Sequence, residues 1–398
     1  YETFLRGKRG TYFYEVDASG REVGSASELN DTRPSPGGNI QTTIDLELQK
    51  KLFYEFKGRK GALVAIEPKT GLIRALISSP TYDPNLLNTI NDYDEVRNLF
   101  SDQDSPLFNR ALLGQYPPAS TLKPFVGMAA LEAKTISWEK EILDSGEYLV
   151  EGDERPYRGW KEGGHGKVDM NKAIIESSDV YFYSLAYDLT VSNLSPFLEK
   201  FGFGEQSGLT IREGTGILPS RKWKLGYKGE SWFKGDTINM GIGQGYITAT
   251  PLQIAVAYSA LANKGELVQP RIIEKIGEEN TETVIKKNIS LIDDLNWKRI
   301  EKSLLGVVEA SNGTANNIYD RNIRIAGKTG TAQVKSIIET EYELLRVDKS
   351  LRDHALFVGY GPVEEPKLVV VAIIENGESG SAVAAPLVRK AINLYSKK

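Results

Sequence analysis

Strand-like runs lie near both ends of this 398-residue chain, and a long helical stretch separates them. Near the start, KGALVAIEPKTGLIRALISS (Lys60 to Ser79) reads as two strands around the turn EPKTG. Near the end, IRIAGKTGTAQV, HALFVGYGP and KLVVVAIIEN read as further strands. The longest apolar run, LVVVAII (Leu368 to Ile374), suits a buried strand and is far too short to span a bilayer. Between about 100 and 265 the pattern is helices and irregular loops. A sheet built from both ends joins distant segments, so an α/β domain is expected. IQTTIDLELQKKLFYEF predicts a helix capped by Thr43 or Asp45, and a last helix is expected from about Ala385 to Tyr395. The first 40 or so residues differ, with short strands broken by glycine before the linker-like DTRPSPGGN.

Composition narrows the chemistry. With no cysteine, thiol catalysis, thiolate metal sites and disulfides are all absent. The two histidines, His165 and His354, leave little room for a Ser-His-Asp triad or a multi-histidine metal site. Forty-nine basic residues against 53 acidic ones give no field suited to nucleic acid. No signal peptide is visible, and the chain begins at Tyr1.

One stretch then stands out, GQYPPASTLKPFVGMAALEA (Gly114 to Ala133). Proline is tolerated only in the first turn of a helix, so Pro124 fixes the helix start near Ser120. The residues from Phe125 to Leu131 leave no polar face, which marks a buried helix. Ser120 and Lys123, three apart, share a face at its mouth. A serine is a weak nucleophile without an adjacent base, and lysine is a poor base at its ordinary pKa of about 10.4. Burial and a second cation lower that value. On this pair alone, a helix cap and a snorkelling lysine are the favoured reading, because the pattern is short and common.

Two further segments change the balance. ESSDVYFYSLAYDL sets Ser177 and Asp179 at a junction between two helices, and AGKTGTAQV sets Lys328, Thr329, Gly330 and Thr331 on a strand. Serine-x-x-lysine, a serine-x-asparagine-like element and lysine-threonine-glycine, in that order, form the set of penicillin-binding proteins and class A β-lactamases. The chain resembles the transpeptidase domain of class B penicillin-binding proteins, in the elongation-associated penicillin-binding protein 2 branch. IQTTIDLELQ, GALVAIEPKTGLIRALISSPTYDPN, YPPASTLKPF, GDTINMGIGQGYITATPLQIAVAYSALAN and DHALFVGY carry the likeness, from about residue 40 to 376.

The resemblance implies a β-lactamase-like fold: a central antiparallel sheet flanked by helices, plus a mostly helical lobe. It implies a remnant of a non-catalytic pedestal over residues 1–40 and a transpeptidase domain over 41–398. It also implies that Ser120 attacks the penultimate D-alanine of a peptidoglycan stem peptide, forming an acyl-enzyme that a neighbouring amine resolves into a cross-link. Lys123 is then the base and Ser177 the proton relay. Lys328 is the second cation that keeps Lys123 neutral and draws in the substrate carboxylate. Thr329 and Thr331 offer hydroxyls to that carboxylate, and Gly330 lets an extended substrate lie along the strand. Backbone N–H groups of Ser120 and Thr331 form the oxyanion hole. The implied partners are D-Ala-D-Ala stem peptides, β-lactam antibiotics and a polytopic glycan polymerase of the rod-elongation machinery. A single N-terminal membrane anchor, outside this sequence, holds the domain on the outer face of the cytoplasmic membrane. No cofactor is expected.

Two departures from the family pattern matter. Asp179 stands where the wider family has asparagine, although the penicillin-binding protein 2 branch resembles this aspartate form. A carboxylate only accepts hydrogen bonds, and pairing with Lys123 raises the lysine pKa rather than lowering it. Some members of the branch also hold zinc with two aspartates, a histidine and a cysteine. His165 and Asp144 match two of those positions, but Gly159 and Ser178 stand at the others, so no zinc is expected and His165 is read as a structural loop residue.

GIGQG (Gly241 to Gly245) lacks the spacing of a phosphate loop and feeds a helix with Thr250 as cap, Pro251 first and Gly265 past its end. RKWKLGYKGESWFKG (Arg221 to Gly235) reads as a solvated loop, with contact to glycan, lipid headgroups or a partner as the alternative. His354 is expected to begin a strand beside that of Lys328, without a catalytic role. Three other functions stay open at this point: a D,D-carboxypeptidase or β-lactamase on the same site, a β-lactam-sensing receptor domain, and a non-catalytic interaction module. The length exceeds what a β-lactamase needs, and no glutamate motif for a deacylating water is evident.

Overall fold

The computed structural model describes every residue except 27–28, 89–92, 153–155, 335–348 and 398. The chain divides into two compact units, the first formed by Tyr1–Thr43 with Ile272–Glu282, the second by the remainder. The sequence-based break near residue 40 thus falls at 43, and a later segment joins the first unit. Within that unit Tyr14–Val16 pairs with Glu22–Ser25, and Ile40–Thr42 pairs with Ile273–Ile276.

The second unit is built on a five-stranded antiparallel sheet. Its strands are β1 (Gly61–Ile66), β2 (Ile73–Ser79), β3 (Ala326–Ala332), β4 (His354–Gly361) and β5 (Leu368–Ile374), in the order β3-β4-β5-β1-β2. β1 and β2 form the hairpin that EPKTG announces, and β5 joins the C-terminal strands to it, Val370 opposite Ala65. Every residue of β1 and β5 is buried, so both faces of the sheet centre are covered.

Helices supply that cover. They include α1 (Leu46–Glu55), α2 (Lys123–Glu132), α3 (Met170–Ile175), α4 (Asp179–Leu189), α5 (Arg221–Lys228), α6 (Pro251–Ala262), α7 (Leu295–Glu309) and α8 (Ala385–Ser396). α6 and α8 both pack on β5. Asp45, rather than Thr43, caps α1 by accepting from the Leu48 N–H. Thr250 caps α6 in a reciprocal box with Gln253, with Pro251 in the first turn. α2, α3, α4 and α7 make the helical lobe, in which α2 packs on α4, α3 on α7, and α7 on β3.

The expected solvated loop at 221–235 is corrected. Arg221–Lys228 is a helix, capped by Ser220 and ended by Gly229 in the left-handed region. Most of the segment is exposed as expected, and only Lys224 turns in, its amine buried against Asp236 (2.7 Å) and the Phe233 ring (4.6 Å).

Candidate active site

Pro118 and Pro124 bracket the turn that carries Ser120. Ala119–Leu122 is a 3₁₀ turn running straight into α2, so Ser120 sits half-buried at the helix mouth. Ala119 is held at φ +50°, a left-handed conformation costly for a residue with a Cβ. Its neighbours over-determine it: the Ala119 N–H donates to Gly243 O (2.9 Å), and the buried Tyr258 hydroxyl donates to Thr121 O (2.8 Å). A Cβ on Gly243 would lie 2.2 Å from Ala119 O, which makes glycine obligatory there. Behind the turn, Tyr116 and Arg110 both donate to Glu375 Oε1, at 2.7 and 2.9 Å, fixing it to the end of β5.

Lys123 points away from solvent, with 0 % of its surface exposed. Its Nζ donates to Ser177 O (2.8 Å), Ser177 Oγ (3.2 Å) and Asp179 Oδ1 (2.6 Å). The first and second segments therefore meet in one pocket, and the lysine amine is held by the second segment rather than by Ser120. Burial pushes the Lys123 pKa below the ordinary lysine value, against the opposing pull of Asp179 and then Asp144. Ser177, between α3 and α4, is itself left-handed at φ +61°, which turns its carbonyl and hydroxyl toward the same amine.

Lys328 lies on β3, also wholly buried, and its Nζ has no hydrogen-bond partner among the described residues. Burial, then the charge of Lys123, drive its pKa well below the ordinary value. Lys123 has a carboxylate partner in Asp179, and Lys328 has none among the described residues.

Strand alternation sorts the rest of the third segment. Lys328 and Gly330 are buried on one face, whereas Thr329 is half-buried and Thr331 exposed on the other. The Thr329 hydroxyl is engaged with that of Thr314 (2.8 Å). Gly330 also has a packing reason to be glycine. A Cβ there would meet Thr121 Cγ2 and Leu356 Cβ at 3.1 Å, so its missing side chain lets β3 close on the serine-bearing turn.

The Asp144, Gly159, His165 and Ser178 positions do converge. Asp144 Oδ2 accepts from Ser178 Oγ and meets His165 Nδ1, each at 2.6 Å, while Oδ1 accepts the Gly146 N–H. His165 Nε2 is buried without a partner among the described residues. Gly159 and Ser178 supply no carboxylate or thiolate, so these residues do not fit a zinc ion.

Sequence reasoning missed Trp160. Its backbone N–H donates to Asp179 Oδ2 (2.9 Å) and its indole N–H to Ser177 O (3.1 Å), although 61 % of the residue is exposed. Trp160→Phe keeps the first bond and loses the second. Acylation by a reporter β-lactam is expected to slow about fivefold, with the melting temperature unchanged. The freed carbonyl then holds the Lys123 ammonium more tightly, so the rise of rate with pH moves to higher pH. A wild-type rate and pH profile would remove Trp160 from this role.

The penicillin binding protein transpeptidase domain matches residues 61–393. The chain belongs to this family. It is 40% identical, over 99% of its length and 61% of the relative, to the peptidoglycan D,D-transpeptidase MrdA of Haemophilus influenzae. Among solved structures, Pseudomonas aeruginosa PBP2 in complex with WCK 5153 is 39% identical with a TM-score of 0.84, covering 92% of this chain and 77% of that one. The complex of PBP2 and MreC from Helicobacter pylori gives 30% identity and a TM-score of 0.86, covering 100% and 70%. The chain spans about three-fifths of the length of the curated relatives it matches. The family's α/β fold, with its central antiparallel sheet and helical lobe, is the one expected.

Proposed function

We propose that this family member is a serine D,D-transpeptidase that cross-links peptidoglycan stem peptides during cell elongation and is acylated by β-lactams. The observation that carries the reading is the Lys123 amine, buried at the base of the Ser120 turn and 3.2 Å from Ser177 Oγ. In its neutral form Lys123 takes the Ser120 proton as the oxygen attacks the penultimate D-alanine carbonyl. The peptide C–N bond breaks, Ser177 relays the proton to the departing D-alanine, and an acyl-enzyme remains. An amine of a second stem then attacks the ester, and the serine recovers its proton. Lys328, Thr329, Gly330 and Thr331 line the strand along which the substrate lies, and Ser120 and Thr331 offer N–H groups to the oxyanion.

The name carried by the relatives favours cross-linking over the hydrolase and sensor readings. By the same kinship, we assign residues 1–43 with 272–282 to the edge of a pedestal. We place the domain outside the cytoplasmic membrane behind an N-terminal anchor; no helix among the described residues is long and apolar enough to cross a membrane. An MreC-like protein and a glycan polymerase are the proposed partners.

A fluorescent penicillin should label the wild type in a long-lived adduct and leave Ser120→Ala unlabelled. D-alanine release that increases when an amine acceptor is added separates cross-linking from trimming. Rapid loss of label would mean a β-lactamase instead.

A further inference from the structure

We propose that Gln244 is a specificity-determining residue, whose side-chain amide occupies the acceptor that an incoming substrate strand needs. The inference rests on the proposed transpeptidase reading and concerns the same site.

β3 is an edge strand, paired only with β4 among the described residues. Gln244 Nε2 donates to Thr331 O at 3.1 Å, so that carbonyl points to the free edge. In an antiparallel ladder the N–H and C=O of one residue point to the same side. The Thr331 N–H therefore faces the free edge as well, and Thr331 presents the donor-acceptor pair that an added antiparallel strand would use. The acceptor half of that pair is already taken.

The contact is built to be both placed and displaceable. The Gln244 N–H donates to Asn239 O (3.0 Å), and neighbouring Gly243 receives the Ala119 N–H beside Ser120, so the loop backbone is tied to the nucleophile turn. The side-chain bond itself is solvent-exposed and neutral, worth about as much as the one that replaces it. A substrate with an amide N–H exchanges that group for the one from Gln244. A ligand without such a donor leaves the Gln244 bond in place and derives nothing from Thr331 O.

The test compares Gln244→Met, similar in length without a donor, and Gln244→Ala with wild type. Second-order acylation rates are measured with benzylpenicillin, which carries an acylamino N–H, and with a carbapenem, which carries none. The penicillin rate is expected to rise about fivefold in both variants, while the carbapenem rate stays within twofold and melting temperatures are unchanged. Equal changes for both drugs, no change for either, or a slower penicillin rate overturns the proposal and leaves the transpeptidase reading intact. If the wild type takes up neither drug, that reading fails and this one falls with it.

Discussion

Lys123→Met is expected to slow acylation of Ser120 by about 10²–10⁴-fold, the usual contribution of a positioned base, and to destabilise the fold at the same time. The second effect comes from Asp179, a nearly buried residue whose Oδ1 loses its 2.6 Å ammonium partner. Removing one half of a buried pair costs about 3–5 kcal/mol, because the other charge remains. Asp179→Asn on the same background removes that charge while keeping an oxygen for the Trp160 N–H. The double variant should therefore recover most of the stability and none of the rate, read by thermal unfolding beside the kinetics of β-lactam labelling. If the rate returned with the stability, Lys123 would be a counter-ion only, and the base in the proposed mechanism would have to lie elsewhere.

That cycle turns on the Lys123–Asp179 pairing, which the departure from asparagine already raised and whose 2.6 Å contact the fold supplies. Spacing brought Ser120 and Lys123 to one helix mouth, and the three segments were readable as a set because each is short, local and chemically distinctive. The strands were legible for a similar reason, since LVVVAII and the EPKTG hairpin advertise burial and turning within a few residues. What stayed hidden depends on backbone conformation and on distant neighbours. The left-handed Ala119 and Ser177 carry no signal, because alanine and serine rarely adopt that geometry unless tertiary contacts impose it. Trp160, Tyr258 and Glu375 act through hydrogen bonds to residues 17 or more positions away. The 221–228 helix was misread because its composition is that of a loop; the carboxylates of Asp236 and Glu230 and two rings around Lys224 make burial of that lysine tolerable. That Gly330 also makes room for the serine-bearing turn was not readable, because Thr121 lies over 200 positions away in the chain.

Lys328→Met should do the opposite to stability, raising the melting temperature by roughly 2–4 °C at pH 7 while acylation falls about 10²-fold or more. A wholly buried amine with no partner among the described residues costs on the order of 1–3 kcal/mol, and a thioether of similar length fills the space without that cost. The pH dependence follows from the sign of the shift. Lys328 in the fold has a pKa well below the ordinary value, so between the two values the unfolded chain holds the extra proton. The stability of the wild type therefore climbs as pH rises toward about 10.4, where the unfolded lysine also loses its charge. The advantage of the methionine variant should be largest near neutrality and shrink at pH 10, as thermal melts at the two values would reveal. A variant less stable than wild type at pH 7, or a difference that ignores pH, would mean that Lys328 is paired and charged at rest. On the proposed mechanism, the substrate carboxylate is the partner this amine would gain. A carboxylate beside Lys328 would favour its charged form, so in that mechanism substrate binding and protonation of Lys328 would be coupled.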